Sequence, residues 1–279
     1  MGKRPVTVPD ISGRKNSGKK ITALTAYDYS FAKLLDSTDI DIILVGDSLG
    51  MVSLGHENTL AVSLENMIYH TRAVKKGALR ALVVCDMPFM SYQVSVEQAI
   101  TNAGRLIQEG EASAVKLEGG ARMANRIQGI VRAGIPVMGH IGLTPQSVHQ
   151  FGGYKVQGKN YLDSRQIRQD ACDLQNSGIF ALVLEGIPGE LAEEITGDLK
   201  IPTIGIGAGP KCDGQILVLH DLLGLSQDFM PKFVKQYAQL ADNLKKAVTE
   251  YIQEVENETF PGREHTYNSK KGNLKQVND

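Results

Sequence analysis

The chain has 279 residues, of which 42% are hydrophobic and 22% charged, and its formal net charge is −1. This length suits one large α/β domain or two small ones, and the near-neutral charge gives no electrostatic reason to expect a nucleic acid or an anionic membrane as partner. No apolar run reaches the roughly 18 residues needed to cross a bilayer, and residues 1–20 lack the apolar core of a secretory signal. We therefore expect a cytoplasmic protein, with Cys85, Cys172 and Cys212 as free thiols.

From residue 21 onward, short apolar runs alternate with amphipathic segments. The apolar runs predict strands at 21–26, 42–45, 81–85, 114–117, 135–139, 179–184 and 201–206. Most of the segments between them repeat apolar residues at the spacing of a helix packed on a sheet. Residues 215–221 fit either an eighth strand or a helix, and the pattern from Pro231 to Val255 predicts one long amphipathic helix.

This alternation has no linker-like break and predicts a single (β/α)8 TIM barrel over residues 21–260. A polar N-terminal segment, 1–20, precedes the barrel, and a polar tail, 261–279, is expected to be flexible. An open, doubly wound α/β sheet is the alternative. The first strand–helix turn, which begins at Tyr27, lacks the glycines of a dinucleotide-binding loop and so argues against the nucleotide-binding form of that sheet.

Polar side chains follow the C-terminal ends of the predicted strands, which a barrel gathers on one face. They are Asp47, Ser48, Asp86, Lys116, Glu118, His140 and Glu185. Four carboxylates in one small mouth repel one another unless a cation or a proton compensates them. Oxygen ligands without cysteine favour Mg²⁺ over zinc, so Asp47, Asp86 and Glu118 are the predicted metal ligands.

Each of these residues also has a plainer interpretation. An aspartate after a strand is commonly a turn residue or a helix N-cap, and Lys116 within an apolar run is consistent with a structural ion pair to Glu118 or a neighbour. His140 is equally consistent with a hydrogen-bonded core histidine. Glu185 directly follows an apolar run, which favours it as a general base, with an exposed loop glutamate as the alternative. The glycine-rich connection 144–161 is longer than most loops and is predicted to be functional.

Seven motifs occur in order along the chain. They are Val-Gly-Asp47-Ser48-Leu-Gly-Met, Asp86-Met-Pro-Phe, Val-Lys116-Leu-Glu118-Gly-Gly, Gly-His140-Ile-Gly-Leu-Thr-Pro-Gln, Phe-Gly-Gly-Tyr-Lys-Val-Gln-Gly, Leu-Glu185-Gly-Ile-Pro and Ile-Gly-Ile-Gly-Ala-Gly. Together these motifs closely resemble those of the ketopantoate hydroxymethyltransferase family, from about residue 21 to residue 265. The resemblance implies a (β/α)8 barrel, Mg²⁺ dependence and a homodecamer of two stacked pentamers.

The resemblance also implies an activity, the transfer of a hydroxymethyl group from 5,10-methylenetetrahydrofolate to 3-methyl-2-oxobutanoate. The product is 2-dehydropantoate, and the step belongs to pantothenate biosynthesis. The implied partners are these small-molecule substrates, with no nucleic acid and no membrane. By the same resemblance, Asp47, Asp86 and Glu118 stand at the family's metal positions and Glu185 at its proton acceptor. Its oxo-acid positions are occupied by Asp47, Ser48, Asp86 and Lys116.

The expected reaction passes through an enolate. Mg²⁺ chelates the oxo acid and polarises its keto group, Glu185 removes the proton from the β-carbon, and Mg²⁺ and Lys116 stabilise the enolate. His140 is the next candidate for the base. Two alternatives stay open: another Mg²⁺-dependent enolate barrel, such as a phosphoenolpyruvate mutase or an oxo-acid lyase, and a non-catalytic oligomeric scaffold.

Overall fold

The computed structural model describes residues 4–15, 17–226 and 230–267, which form a closed barrel of parallel strands. The strands are β1 (Ile21–Thr25), β2 (Ile42–Val45), β3 (Leu82–Asp86), β4 (Ala114–Glu118), β5 (Val137–Gly142), β6 (Ala181–Glu185), β7 (Thr203–Ile206) and β8 (Gly214–Leu217). Neighbouring strands pair in chain order, and β8 closes on β1 with Gly214 opposite Ile21. The predicted (β/α)8 barrel is therefore confirmed, and the open sheet is excluded.

Helices occupy the connections and surround the barrel. They are α1 (Val8–Ser12), α2 (Tyr29–Asp36), α3 (Leu49–Val52), α4 (Leu64–Gly77), α5 (Val96–Gln108), α6 (Ala124–Arg132), α7 (Val148–Phe151), α8 (Tyr161–Asn176), α9 (Gly189–Asp198), α10 (Leu219–Leu222) and α11 (Leu240–Glu256). Helix α4 illustrates why these segments are helical. Its buried face includes Met67, Thr71 and Val74 at helical spacing, and Ser63 caps its first turn by accepting the backbone N–H of Asn66.

The barrel has two apolar layers because successive residues of each strand point to opposite sides. Along β2, Ile42 and Leu44 belong to the interior layer, whereas Ile43 and Val45 belong to the layer under the helices. The interior layer also includes Ile11 of α1, which is fully buried. The N-terminal segment therefore packs on the barrel interior.

The predicted start of the long C-terminal helix was wrong, because α11 begins at Leu240 rather than near Pro231. The preceding residues instead fold back to the barrel mouth. There Phe233 lines the central cavity, and the Tyr237 N–H donates to the carbonyl of Leu222 in α10. These tertiary contacts replace the helical hydrogen bonds that the local pattern favours, since propensity is a weak influence beside packing.

Several strand boundaries also differ from the sequence-based ones, and Asp86, Glu118 and Glu185 are the last residues of β3, β4 and β6 rather than residues that follow them. Strand β5 continues beyond residue 139 to Gly142, so His140 lies within a strand rather than after one. The ambiguous segment 215–221 contains both structures, since β8 ends at Leu217 and α10 begins at Leu219. Of the predicted tail, residues 268–279 lie outside the described residues. In the part of the chain that the structure describes, no helix combines the length and the apolar character needed to cross a membrane.

Candidate active site

The C-terminal mouth of the barrel gathers polar side chains from consecutive strands. Along β3 to β6, the residues that point into the barrel are apolar in its interior and polar at its C-terminal mouth. The polar residues are Asp86 on β3, Lys116 and Glu118 on β4, His140 on β5 and Glu185 on β6. Asp47 follows β2 after a single glycine and lines the same cavity. The structure thus brings the sequence-predicted site residues together, while their roles stay predictions.

Lys116 forms a buried ion pair with Asp86, its neighbour in the parallel register of β3 and β4. The Lys116 Nζ lies 2.9 Å from Asp86 Oδ1 and 4.0 Å from Glu118 Oε1. Burial lowers the pKa of Lys116, but the surrounding carboxylates outweigh burial and raise this pKa above its usual value. The side chain is therefore an ammonium. The structure supplies the ion pair that the plainer interpretation expects, with Asp86 as the nearer partner.

His140 bridges two carboxylates. Its Nε2 lies 3.1 Å from Glu185 Oε2, and its Nδ1 lies 3.4 Å from Glu118 Oε1 and 3.2 Å from Lys116 Nζ. Burial and the Lys116 ammonium lower the pKa of His140, but the hydrogen bonds to Glu118 and Glu185 outweigh them and raise it to about 9. This raised pKa favours the protonated ring, which lies within ion-pair distance of the Glu185 carboxylate at the mouth.

Ser48 lies beside Asp47 on the cavity wall. Its Oγ is 2.8 Å from the Tyr27 hydroxyl. Ser48 also occupies the N-cap position of α3, but its side chain makes no capping hydrogen bond. Helix capping therefore does not account for this hydroxyl, which remains available to a ligand in the cavity.

Sequence analysis missed two residues of the site, Gln146 and Tyr92. The Gln146 side chain donates to Asp47 Oδ2 at 2.8 Å, and its backbone N–H donates to Glu118 Oε2 at 3.0 Å. The Tyr92 hydroxyl lies 2.7 Å from Gln146 Oε1. Gln146 is the last residue of the motif that begins Gly-His140, so a signal for it existed. Tyr92 stands in the loop after β3 without any pattern around it.

A cavity of about 1020 Å³ lies over the polar cluster. The cluster forms part of its wall, and apolar side chains such as Met51, Leu225 and Phe233 form much of the rest. Tyr154 and Val156 also line it, so the glycine-rich connection borders the site. A second groove, of about 700 Å³, lies between α8 and α9 and is lined by none of the predicted site residues.

The sequence model of the family described as ketopantoate hydroxymethyltransferase matches residues 5–263. The chain belongs to this family. It is 56% identical over 266 residues to a 3-methyl-2-oxobutanoate hydroxymethyltransferase of Pelobacter propionicus, covering 95% of this chain and 98% of that protein. It is 59% identical over 257 residues to the protein of the same name from Thermoanaerobacter sp., covering 92% of this chain and 94% of that one. A solved structure of phosphonopyruvate hydrolase with oxalate and Mg²⁺ shares the fold, with a TM-score of 0.61 at 12% identity over 91% of this chain and 88% of that chain.

The mouth of this ketopantoate hydroxymethyltransferase barrel carries more negative than positive charge. Four carboxylates face one ammonium and one imidazolium. Burial and then the neighbouring carboxylates raise the pKa of Asp47 well above its usual value, and burial also raises the pKa of Asp86. Burial acts on Glu118 in the same direction, but the His140 hydrogen bond and the nearby cations outweigh it and lower the pKa. A divalent cation beside Asp47 would therefore neutralise the charge that is least compensated, since Asp86 is already paired with Lys116.

A magnesium site at the two aspartates fits the donor atoms. In the described part of the chain, no three His, Cys, Asp or Glu side chains converge closely enough to hold a metal ion by themselves. Asp47 and Asp86 are adjacent, however, since the Asp47 backbone N–H donates to Asp86 Oδ2 at 3.1 Å. Mg²⁺ is commonly held by one or two carboxylates and completes its shell with water and substrate oxygens. Glu118, the third predicted ligand, is engaged by His140 and by the Gln146 N–H.

Proposed function

We propose that this chain is a 3-methyl-2-oxobutanoate hydroxymethyltransferase. It transfers a hydroxymethyl group from 5,10-methylenetetrahydrofolate to 3-methyl-2-oxobutanoate and forms 2-dehydropantoate, a step of pantothenate biosynthesis. The main support is the 56% and 59% identity, over nearly the whole of both chains, to two relatives that carry this name. The acidic cluster supports the same conclusion, because it borders a cavity of about 1020 Å³, which has room for a small oxo acid and a larger one-carbon carrier together.

We assign Mg²⁺ to Asp47 and Asp86, with Glu118 as the third proposed ligand. When bound, the ion supplies Lewis-acid polarisation of the keto group of the oxo acid. The adjacency of the two aspartates and the poorly compensated charge on Asp47 support this assignment. Since the three proposed ligands offer hard oxygen donors and no thiolate, the assignment favours Mg²⁺ over zinc.

Lys116 and Ser48 bind the oxo acid beside these aspartates. The Lys116 ammonium lines the cavity and is held by Asp86 at 2.9 Å, so it attracts the negative charge that develops on the keto oxygen. The Ser48 hydroxyl, paired with Tyr27 at 2.8 Å, is positioned to bond a substrate oxygen. Burial strengthens both interactions, because the effective dielectric constant inside the mouth is lower than that of water.

Glu185 removes a proton from the β-carbon of the oxo acid. His140 Nε2 lies 3.1 Å from Glu185 Oε2, and this close contact restricts where the carboxylate can lie. The proton passes to Glu185, and the electron pair of the C–H bond forms the enolate. The methylene carbon of the carrier has two C–N bonds. One is replaced by the bond to the enolate carbon and the other by a bond to the oxygen of water, which becomes the hydroxyl group. The two nitrogens of the carrier take up the proton removed from the β-carbon and one proton from water. His140, whose raised pKa favours the protonated ring, serves as a supporting group rather than as the base.

We also propose that the protein is a homodecamer. Helix α11 exposes the apolar side chains of Leu244, Val248, Tyr251 and Ile252, which supports self-association. The number of subunits rests on the family resemblance alone. Light scattering coupled to size-exclusion chromatography is expected to give ten times the monomer mass, and a monomer would overturn the proposal. The expected cytoplasmic location stays a prediction.

Two assays of the purified protein test the activity. The first follows 2-dehydropantoate formation with and without 5,10-methylenetetrahydrofolate, in Mg²⁺ and in excess chelator. The second follows, by NMR and without folate, the exchange of the β-carbon proton of 3-methyl-2-oxobutanoate for solvent deuterium. We expect Mg²⁺-dependent exchange and folate-dependent product. Exchange without folate-dependent product would point to an oxo-acid lyase or mutase, and a complete lack of exchange would point to a non-catalytic scaffold.

A further inference from the structure

One buried amide joins two carboxylates of the site. Gln146 is 6% exposed and follows β5 in a short 3-10 turn, Pro145–Ser147. Its Nε2 donates to Asp47 Oδ2 at 2.8 Å and to the Met87 carbonyl at 3.0 Å. Its backbone N–H donates to Glu118 Oε2 at 3.0 Å. The side chain of Gln146 therefore holds Asp47, two residues beyond the end of β2, while its backbone holds Glu118, the last residue of β4.

The partners of Gln146 determine which way its amide faces. A carbonyl and a carboxylate only accept hydrogen bonds, so the NH₂ group must face Met87 and Asp47. On the other side, Oε1 lies 2.7 Å from the Tyr92 hydroxyl and 3.3 Å from Gln93 Nε2. The Tyr92 hydroxyl accepts the Glu118 N–H at 3.2 Å, and its own proton is directed to its nearest acceptor, Gln146 Oε1. Both hydrogens and both lone pairs of the amide are thus engaged.

The Asp47 carboxylate depends on this one donor. In residues 4–15, 17–226 and 230–267, no other hydrogen-bond donor reaches its oxygens. Asp86 and Glu118 lie close enough to repel it, and the attraction of the Lys116 ammonium is smaller than either repulsion. A carboxylate with one donor and two like-charged neighbours turns away from them unless the donor is itself rigidly held, and the Tyr92 hydroxyl and the Met87 carbonyl hold Gln146.

We propose that Gln146 is a positioning residue that keeps the Asp47 carboxylate turned toward the divalent ion, with Tyr92 fixing the orientation of its amide. This inference rests on the function proposed above, in which Asp47 binds that ion. Partners that orient metal ligands typically change metal affinity about 10- to 100-fold when they are removed. A purely structural role would instead lower the free energy of unfolding without changing metal affinity.

The test compares Gln146→Met, which keeps the length of the side chain but removes its donors, with Tyr92→Phe and with a control, Thr203→Val. Thr203 is fully buried at the start of β7, and its Oγ1 lies 2.7 Å from Thr196 Oγ1, so the control also removes a buried hydrogen bond. The dissociation constant for Mn²⁺ is measured by electron paramagnetic resonance without substrate, and Tm is measured in parallel. Crystal structures of the metal-free wild type and Gln146→Met complete the set.

We expect Gln146→Met to raise the Mn²⁺ dissociation constant at least about 10-fold, Tyr92→Phe to raise it about 2- to 5-fold, and Thr203→Val to leave it unchanged despite a lower Tm. In the metal-free crystal of Gln146→Met, the Asp47 carboxylate should move while Glu118, held by the backbone, should stay in place. Wild-type Mn²⁺ affinity in folded Gln146→Met overturns the proposal, and if that variant does not fold, wild-type affinity in Tyr92→Phe does so.

A different result separates this inference from the proposed function. If the wild-type protein itself binds no Mn²⁺, the assignment of the metal is wrong. The positioning role is then decided by the metal-free crystals alone. Displacement of the Asp47 carboxylate supports it, and an unmoved carboxylate overturns it.

Discussion

Strand β2 is flanked by a buried aspartate at each end, and the two have opposite surroundings. At the N-terminal end, Asp41 lies 2.9 Å from Arg14 Nη2 and accepts the Thr22 N–H at 3.0 Å. At the C-terminal end, Asp47 accepts one hydrogen bond, from Gln146 at 2.8 Å, and has two further carboxylates among its charged neighbours. Two aspartates that flank the same strand and are equally buried therefore differ in charge compensation. The charge of Asp41 is neutralised by a cation, whereas the charge of Asp47 is only partly compensated.

The contrast extends to the whole of each end of the barrel. At the N-terminal end, Lys15 pairs with Asp213 at 2.9 Å, so the N-terminal segment supplies one cation for each of the two aspartates there. At the C-terminal end, four carboxylates share two cations. Matched ion pairs stabilise the closed barrel. Uncompensated charge lowers the stability of the fold and is typical of a site that binds a ligand. Charge balance, not burial, therefore separates Asp41 and Asp213 from Asp47, the proposed metal ligand with no ion-pair partner among the described residues.

The largest expected effect is that of Glu185→Gln. Exchange at the β-carbon should fall about 10²- to 10⁴-fold, the usual contribution of a general base, while the Mn²⁺ dissociation constant stays nearly unchanged because Glu185 is not a proposed ligand. Glu190→Gln, the same chemical change at an exposed position in the first turn of α9, is the matched control and should exchange at the wild-type rate. Exchange that survives in Glu185→Gln would assign the base to another residue, His140 first.

The two aspartates of β2 should separate metal affinity from stability. Asp47→Asn is expected to weaken Mn²⁺ binding about 10- to 100-fold or more and to raise the free energy of unfolding of the metal-free protein, because it removes one of the crowded charges. Asp41→Asn leaves Arg14 without its charged partner and should lower that free energy by about 1–3 kcal/mol with unchanged Mn²⁺ affinity. Titration calorimetry and urea denaturation measure the two quantities. An equal loss of Mn²⁺ affinity in Asp47→Asn and Asp41→Asn would contradict the proposal that the metal binds at the C-terminal end of the barrel and not at the N-terminal end.

A smaller effect is expected at the glycine-rich loop beside the mouth. Gly153 has φ of 113° with open space around it, so Gly153→Ala strains the backbone without a clash. Strain of about 1–2 kcal/mol should reduce turnover about tenfold if this loop closes over the cavity to exclude water, with metal binding intact. Gly18→Ala, at φ of 76° in the N-terminal segment and also in open space, is the control. Unchanged turnover in Gly153→Ala would rule out a closing loop.

The smallest expected effect concerns pH. The pKa of His140 is raised to about 9, so its contribution to stability is complete below about pH 6.5 and is lost as pH rises through about 9. Asp47 and Asp86, whose pKa values are also raised, destabilise the fold once ionised, which acts in the same direction.

The Tm of the metal-free protein should therefore fall by about 2–4 °C between pH 6.5 and 9.5, and Mg²⁺ should restore more of it at the higher pH. Calorimetry with chelator and with excess Mg²⁺ measures these Tm values, and Asp47→Asn should reduce the change of Tm with pH. A metal-free Tm that rises over this range would contradict the charge balance described for the mouth.

Much of the architecture was predictable from the sequence. The apolar runs of β1 to β7 predict buried strands because each is short, rich in β-branched residues and followed by a helical pattern. The positions of Asp47, Asp86, Lys116, Glu118, His140 and Glu185 follow from the same pattern, since parallel strands deliver their last residues to one face of a barrel. Seven local motifs were sufficient to indicate the family, which the comparison over residues 5–263 confirms.

Other features required the tertiary structure. Gln146 and Tyr92 reach the site from loops, and local spacing does not encode which carboxylates such residues will contact. The pairing of Lys116 with Asp86 depends on the register of β3 and β4, and the late start of α11 depends on contacts that Phe233 and Tyr237 make at the mouth.

The sequence by itself therefore determined the strand–helix order, the barrel and the residues that reach its mouth, because the period of apolar residues and the chemistry of turns are local properties. Only the tertiary structure decided which charges are paired. Asp41 and Asp47 look alike along the chain, and they differ because Arg14, far away in sequence, reaches one of them while two more carboxylates surround the other.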